Sequence, residues 1–111
     1  MKIALLDYFE SNAVVLKKIL LFMYPKRKLD IDIYLDPVSF LKTNYHLYDM
    51  IITDNKMEKI TGIELINKIE GENYKGKIVL ITGYHDIKPN YEIKHKVIYK
   101  PVNRYDIENI F

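Results

Sequence analysis

The sequence of 111 residues contains no cysteine, and this absence excludes disulfide bonds and thiolate zinc sites as a framework for the fold. It also lacks any apolar run long enough to cross a lipid bilayer, and its N-terminus does not have the pattern of a secretion signal. We therefore expect a cytoplasmic protein.

An excess of charge of one sign is lacking as well. The chain has 17 lysine and arginine residues against 15 acidic ones, a net charge of +2, which is too small to indicate a nucleic-acid partner. The one basic cluster, Lys26-Arg27-Lys28, follows Tyr24-Pro25 in a predicted loop. A solvated loop is the simpler interpretation of this cluster, and a phosphate-binding patch is the alternative.

The composition is that of a globular protein. Hydrophobic residues make up 49% and charged residues 29% of the chain, which is too apolar for a disordered segment. The length suits one domain with one core. We expect residues 1–111 to form a single domain, either as a whole protein or as the N-terminal part of a longer one.

Short apolar runs alternate along the chain with segments of helical spacing. The runs predict strands at residues 2–6, 31–35, 48–53, 77–81 and 96–99. Continuous apolar runs are typical of strands that are covered on both faces. The alternation therefore predicts an α/β fold with a doubly wound, five-stranded parallel sheet.

Helices are predicted between these strands from the spacing of their apolar residues. Ser11-Asn12 is expected to cap the first helix, which Pro25 ends, and Asp36-Pro37 opens a short second one. Residues 62–69 are expected to form a third helix and residues 106–111 to begin a last one. Residues 83–90 are rich in helix-breaking types, so we expect a short or irregular fourth crossover, with a helical turn only at residues 91–94.

Polar side chains stand at the ends of four predicted strands. Asp7 follows the first, Asp54 the third and Thr82 the fourth, while Lys100-Pro101 follows the fifth. The carboxyl ends of parallel strands share one edge, where open α/β sheets bind their ligands. Two acids, a hydroxyl and a lysine are therefore expected to meet there, which indicates a phosphoryl-transfer site or the remains of one.

Other kinds of site find little support. The segment after the first strand, Tyr8-Phe9-Glu10-Ser11, contains no glycine, which argues against a nucleotide-binding fold of the Rossmann or P-loop type. The histidines His46, His85 and His95 do not have the spacing of metal ligands.

These residues resemble the receiver domain of bacterial two-component response regulators. Ile3-Ala4-Leu5-Leu6-Asp7 is similar to the family's first strand and its acid, and residues 48–54 are similar to its phospho-acceptor strand. Gly62, Thr82 and Lys100-Pro101 stand at the positions of further family motifs, so the resemblance covers essentially the whole chain. It implies a flavodoxin-like, CheY-like fold and a signalling domain rather than an enzyme, with at most Mg²⁺-dependent self-phosphorylation and slow autodephosphorylation.

The resemblance also implies a role for each residue of the site. Asp54 is expected to accept a phosphoryl group from a histidine kinase or a phosphotransfer protein. Asp7, Asp54 and the backbone carbonyl of Lys56 are expected to hold Mg²⁺, which prefers oxygen ligands. Lys100 and Thr82 are expected to bond the phosphoryl oxygens.

Three residues are expected to change metal binding, hydrolysis of the acyl phosphate or the charge of the site. Tyr8 stands where the family has a second acid, so the Mg²⁺ complex is expected to be weak. Tyr84 lies two residues past Thr82, where a bulky ring is expected to slow hydrolysis of the acyl phosphate. The ammonium of Lys56 either offsets the charges of the two acids, partly replacing the metal, or points into water.

The leading hypothesis is a module whose protein contacts are controlled by phosphorylation of Asp54. Its partners would be a kinase or phosphotransfer protein, an output domain or a second copy, with no direct contact to nucleic acid or membrane. The alternative is a pseudo-receiver that binds its partner or dimerises constitutively. Asp54, Thr82 and Lys100 favour the first hypothesis, and Tyr8, Lys56 and the irregular crossover favour the second.

Overall fold

The structure, a computed structural model, describes residues 1–83, 86 and 94–111. Most of the fourth crossover, predicted from the sequence to be short or irregular, lies outside these residues. The same holds for Tyr84 and for most of the helical turn predicted at residues 91–94. None of the helices in the described ranges combines the length and the hydrophobicity that spanning a membrane requires.

A single sheet of five parallel strands forms the centre of the fold. The strands are β1 (Lys2–Leu6), β2 (Asp30–Tyr34), β3 (Met50–Asp54), β4 (Lys77–Thr82) and β5 (Lys96–Tyr99). Their order, β2-β1-β3-β4-β5, confirms the predicted doubly wound arrangement. The predicted strand bounds are within two residues of the observed ones, and Asp54 is itself the last residue of β3.

Four helices flank this sheet in the described part of the chain. They are α1 (Glu10–Met23), α2 (Pro37–Leu41), α3 (Gly62–Gly71) and α4 (Arg104–Glu108). As predicted, Asp36 precedes α2, and its side chain accepts a hydrogen bond of 3.0 Å from the amide of Val38. Helix α3 also begins where the sequence predicts, at Gly62, although it continues to Gly71.

Two predicted helix starts are wrong. Helix α1 begins at Glu10 with Phe9 as N-cap, so the predicted cap residues Ser11-Asn12 lie within its first turn. Helix α4 begins at Arg104 rather than at Asp106. The side chain of Asn103 accepts from the amide of Asp106, and the carboxylate of Asp106 accepts from the amide of Asn103. This reciprocal capping places Asp106 inside the first turn.

The hydrophobic core forms two layers, one on each face of the sheet. Ala4, Leu6 and Ile51 are packed in the layer that includes α2 and α3, while Leu5 and Ile52 are packed in the layer that includes α1 and α4. This division follows from the alternation of side chains along a strand. Every residue of β3 is buried, so the side chain of Asp54, at the end of the central strand, is largely removed from water.

Buried tyrosines reinforce the layer around α2 and α3. The hydroxyl of Tyr74 donates to the carbonyl oxygen of Tyr48 at 2.8 Å, and that of Tyr48 donates to a carboxylate oxygen of Asp32 at 2.6 Å. Burial raises the pKa of Tyr74 well above its ordinary value, and the charge of Asp49 adds to this effect. Burial likewise raises the pKa of Tyr48.

We expect the free energy of unfolding to fall as the pH rises above about 10, the ordinary pKa of tyrosine. Above that pH the unfolded chain ionises Tyr74, while the folded protein keeps it protonated, so proton release favours unfolding. Urea unfolding at pH about 8 and about 10.5 measures the decline. Tyr74→Phe should lower the free energy of unfolding by about 1 kcal/mol at the lower pH. The further decrease between the two pH values should be smaller in this variant than in the wild type. The exposed Tyr105→Phe should keep the full decline, and an undiminished decline in Tyr74→Phe would contradict the assignment.

Gly62 starts α3 directly against the end of β3. A Cβ atom at this position would lie 2.4 Å from the carbonyl oxygen of Asp54 and 2.9 Å from Cδ1 of Leu80. The amide of Gly62 also donates to the carbonyl oxygen of Asn55 at 2.8 Å. Since the closest contact is with backbone, rotation of a side chain cannot relieve it, and the approach of α3 to β3 requires glycine.

Gly62→Ala is therefore expected to destabilise the fold by about 1–3 kcal/mol through overpacking. Gly71→Ala is the matched control, because a Cβ atom there meets no heavy atom within 4 Å and alanine favours the helix. Urea unfolding of both variants gives the comparison. Equal stability of the two variants would show that the end of β3 can move to accommodate a methyl group.

Candidate functional site

The four polar residues predicted to meet do lie along the carboxyl edge of neighbouring strands. Leu6 pairs with Thr53, so Asp7 and Asp54 follow paired positions of β1 and β3. The amide of Lys100 donates to the carbonyl oxygen of Thr82 at 2.8 Å, which ties the ends of β4 and β5 together. The strand order thus brings the polar ends of β1, β3, β4 and β5 to one edge.

Asp54 forms an ion pair with Lys100 at the centre of this edge. Nζ of Lys100 lies 3.1 Å from Oδ2 of Asp54, whose side chain is only 5% exposed, whereas the lysine is 41% exposed. The second oxygen of Asp54, Oδ1, is buried and has no hydrogen-bond partner within the described residues. The carboxylate is therefore held on one oxygen and leaves the other for a further ligand.

Asp7 lies beside this pair and is half-buried. Its Oδ1 accepts a hydrogen bond of 2.9 Å from the amide of Phe9, which shapes the turn into α1. Burial raises the pKa of Asp7 above its ordinary value, as does the charge of Asp54, while the Phe9 amide and Lys100 act in the opposite direction. A cavity of about 20 Å³ is lined by both carboxylic residues together with apolar side chains such as Leu16.

These residues fit a small hard cation. Mg²⁺ is commonly held in proteins through one or two carboxylates and keeps several of its waters. The site offers two carboxylates, Asp7 and Asp54, and the unpartnered Oδ1 of Asp54. No group of three or more histidine or acidic side chains that could hold a metal occurs within the described ranges. The arrangement thus suits a weakly held ion with few protein ligands.

The other predicted site residues differ in how close they come to Asp54. Lys56 is exposed, and the cation that pairs with Asp54 is Lys100, which favours the alternative that the Lys56 ammonium points into water. The predicted role of the Lys56 carbonyl stays a prediction.

Thr82 is buried, and its hydroxyl donates to the carbonyl oxygen of Gly83 at 3.2 Å. Tyr84 lies outside the described residues, and Pro101 follows Lys100 through a cis peptide bond.

Asn55 is a structural residue of the site that the sequence analysis did not identify. It is buried, and its backbone amide donates to the carbonyl oxygen of Ile81. Its side-chain Oδ1 accepts from the backbone amide of Ile63 at 3.1 Å. Asn55 thereby joins the end of β3 to β4 and to the first turn of α3. The available signal was a polar amide that directly follows a buried strand.

The sequence analysis did not identify Glu58 either, and this residue is the hydrogen-bond partner of the Tyr8 side chain. The hydroxyl of Tyr8 donates to Oε1 of Glu58 at 2.9 Å, and this bond raises the pKa of the tyrosine above its ordinary value. Tyr8 is 40% exposed and therefore lies at the rim of the site. It connects the turn after β1 to the loop after β3.

A large apolar groove opens next to the site. It has a volume of about 830 Å³ and lies between α1 and the segment from β5 to α4. Val15, Ile19 and Phe22 line one wall at the spacing of one helix face, and Phe22 is 86% exposed. Asp7 and Lys100 line its other end, so the groove is continuous with the acidic site.

Solved structures with a similar fold come from several bacteria. A CheY-like response regulator receiver domain from Methylobacillus flagellatus is 18% identical with a TM-score of 0.79, covering 99% of this chain and 94% of that one. A two-component transcriptional regulator from Clostridium phytofermentans is 20% identical with a TM-score of 0.76, covering 99% and 87%. A response regulator from Thermotoga maritima, solved in complex with Mg(2+)-BeF, is 22% identical with a TM-score of 0.72, covering 96% and 92%.

Identities at this level show that the fold is shared. A comparison with curated proteins found no match. The family model of the response regulator receiver domain matches residues 13–110, which is most of the sequence. The strand order, the acidic edge and this match agree, and the chain belongs to the response regulator receiver domain family.

Proposed function

We propose that the chain is a phospho-acceptor module of two-component signalling, in which Asp54 takes a phosphoryl group from a phosphohistidine. The observation that carries this proposal is the state of Asp54. Its carboxylate is buried at the end of the central strand, is paired with Lys100 on Oδ2 and has no partner on Oδ1 within the described part of the chain. Phosphorylation would then change the protein contacts of the domain.

The transfer needs little covalent machinery beyond this carboxylate. An oxygen of Asp54 attacks phosphorus, the phosphorus–nitrogen bond of the donor breaks, and its electron pair returns to the imidazole. The ammonium of Lys100, already 3.1 Å from the carboxylate, neutralises charge on the phosphoryl oxygens. Thr82 now donates to Gly83, so its hydroxyl must rotate to bond a phosphoryl oxygen.

Receiver domains bind Mg²⁺ at their phosphorylation site, and the related Thermotoga maritima structure was solved in complex with Mg(2+)-BeF. In this chain Asp7, Asp54 and the carbonyl of Lys56 would hold the ion, which supplies positive charge to the phosphoryl oxygens when bound. Because Tyr8 takes the place of a carboxylate, we expect Mg²⁺ to bind weakly. The site should fill only at high Mg²⁺ concentration, on the order of 10 mM.

Intact mass after incubation with acetyl phosphate tests the acceptor. We expect the mass of one phosphoryl group to be added only when Mg²⁺ is present, and Asp54→Asn to remain unmodified. Asp30→Asn, which changes an exposed acid at the start of β2, is the control and should be labelled as the wild type is. Labelling of Asp54→Asn would mean a different acceptor. An unmodified wild type under every condition would favour the phosphorylation-independent interaction module.

The groove beside α1 supplies a docking surface for the donor. Its apolar wall ends at Asp7 and Lys100, so a partner seated there has its reactive group next to Asp54. Lys18 and Arg104 at its rim favour a partner that carries acidic groups. A second copy of the chain is disfavoured, because a symmetric contact through this groove would bring Lys18 and Arg104 of the two copies together. The occupant that fits is an amphipathic helix that presents a phosphohistidine.

Phe22→Ala should therefore slow labelling by a kinase about tenfold while leaving labelling by acetyl phosphate unchanged. The measurement uses phosphorylated cytoplasmic kinase domains of the source organism, each tested as a donor. Leu47→Ala removes an exposed apolar side chain from the turn before β3 and is the matched control. Equal rates for Phe22→Ala and the wild type with every active kinase would exclude the groove as the donor surface.

A further inference from the structure

The acidic site is bridged at its rim by the hydrogen bond between Tyr8 and Glu58. Tyr8 directly follows Asp7, and Glu58 lies four residues past Asp54, so each belongs to a loop that leaves the site. A hydroxyl that donates to a carboxylate makes a stronger bond than one between neutral groups. The ring of Tyr8 also packs edge-to-face on Phe9, with 5.0 Å between the ring centroids, which restricts its direction.

The loop that carries Glu58 is held on both of its sides by side chains. On the α2 side, Nζ of Lys59 forms an ion pair with Oδ2 of Asp36 at 3.2 Å. Lys59 has a φ of 72°, which is unfavourable for a residue with a side chain, so these contacts hold a shape that the backbone alone disfavours. On the β1 side, the contact is the bond from Tyr8 to Glu58.

Both partners of this bond lie at the surface. Tyr8 and Glu58 are exposed, so their bond can break and re-form while the sheet below stays intact. The lower part of the loop is fixed independently of it, because Asn55 is bonded to Ile81 and Ile63. Opening the bond therefore releases the loop only on its β1 side, while the Lys59–Asp36 ion pair and the bonds of Asn55 keep the rest of the loop in place.

We propose that Tyr8 and Glu58 form a gate at the rim of the site, whose closed state limits the access of small molecules to Asp54 from the side of the loop after β3, which does not line the groove beside α1. Tyr8 is a positioning residue in this gate, since it acts through the loop that carries Glu58. The inference extends the proposed function, because water is one of the molecules that the gate restricts. In the hydrolysis that it slows, water attacks phosphorus, the acyl oxygen–phosphorus bond breaks, and its electron pair returns to the Asp54 carboxylate.

Access to Asp54 can be measured without phosphoryl chemistry. A water-soluble carbodiimide activates accessible carboxylates, and peptide mapping gives the rate at Asp54 as the sum of its glycinamide adduct and its amide cross-link to Lys100, whose Nζ lies 3.1 Å away. We expect Tyr8→Phe and Glu58→Ala to raise this rate about fivefold, the factor that corresponds to one ordinary hydrogen bond. The double variant should show no further increase, because either change alone opens the gate.

Three controls separate a gate from a general loss of structure. Tyr105→Phe and Glu72→Gln change exposed residues away from the rim and should leave the rate at Asp54 unchanged. Glu58→Gln keeps a hydrogen-bond acceptor in place and should stay near the wild-type rate. The free energy of unfolding should fall by no more than about 1 kcal/mol in Tyr8→Phe and Glu58→Ala, the contribution of the lost hydrogen bond, and should be unchanged in the controls. An unchanged modification rate in both Tyr8→Phe and Glu58→Ala overturns the gate.

The lifetime of the acyl phosphate gives the second readout. After labelling with acetyl phosphate and removal of the donor, loss of the phosphoryl group should be about fivefold faster in Tyr8→Phe and Glu58→Ala. A labelled wild type with the same lifetime as both variants overturns the gate as a barrier to water. An unlabelled wild type contradicts the proposed function instead, and the carbodiimide rates then decide the gate alone.

Discussion

The ion pair of Asp54 and Lys100 is the interaction on which the arrangement of the site depends. A carboxylate that is almost fully buried at the end of β3 requires a counter-charge, since the cost of removing an unpaired charge from water is large. Lys100 provides that charge from the end of β5, with β4 between the two strands. Such a pair gains little stability over apolar residues, so stability alone does not account for its presence.

The close packing around β3 keeps this pair in place. Gly62 allows α3 to approach the carbonyl of Asp54, and Asn55 ties the strand end to β4 and α3. The site is thus rigid below and bordered by movable groups above. The hydroxyl of Thr82 can rotate, and the bond between Tyr8 and Glu58 can open. A rigid acceptor with movable surroundings suits a reaction that relies on positioning.

The two sides of the site differ in the molecules that they can receive. The groove beside α1 is wide and apolar and leads to Asp7 and Lys100, which suits a protein donor. On the other side, the loop after β3 is joined to the turn after β1 by the bond between Tyr8 and Glu58, where we propose a gate. Tyr8, which stands where the family has a second acid, is expected to weaken metal binding, and it also adds a contact at the rim. The two effects have one origin in a single residue.

The strands, the α/β class and the residues at the strand ends could be predicted from the amino-acid sequence, because buried parallel strands are continuous apolar runs and polar residues mark their ends. The sequence did not determine the start of α1, since Phe9 makes no side-chain cap bond that a pattern could reveal. The ion-pair partner of Asp54 is Lys100, 46 residues away, and not the nearby Lys56, and this choice depends on how the strands pack together in the fold. The fold likewise decides that Tyr8 bonds Glu58, 50 residues away. Such partners are selected by the packing of strands and loops, which local patterns do not encode.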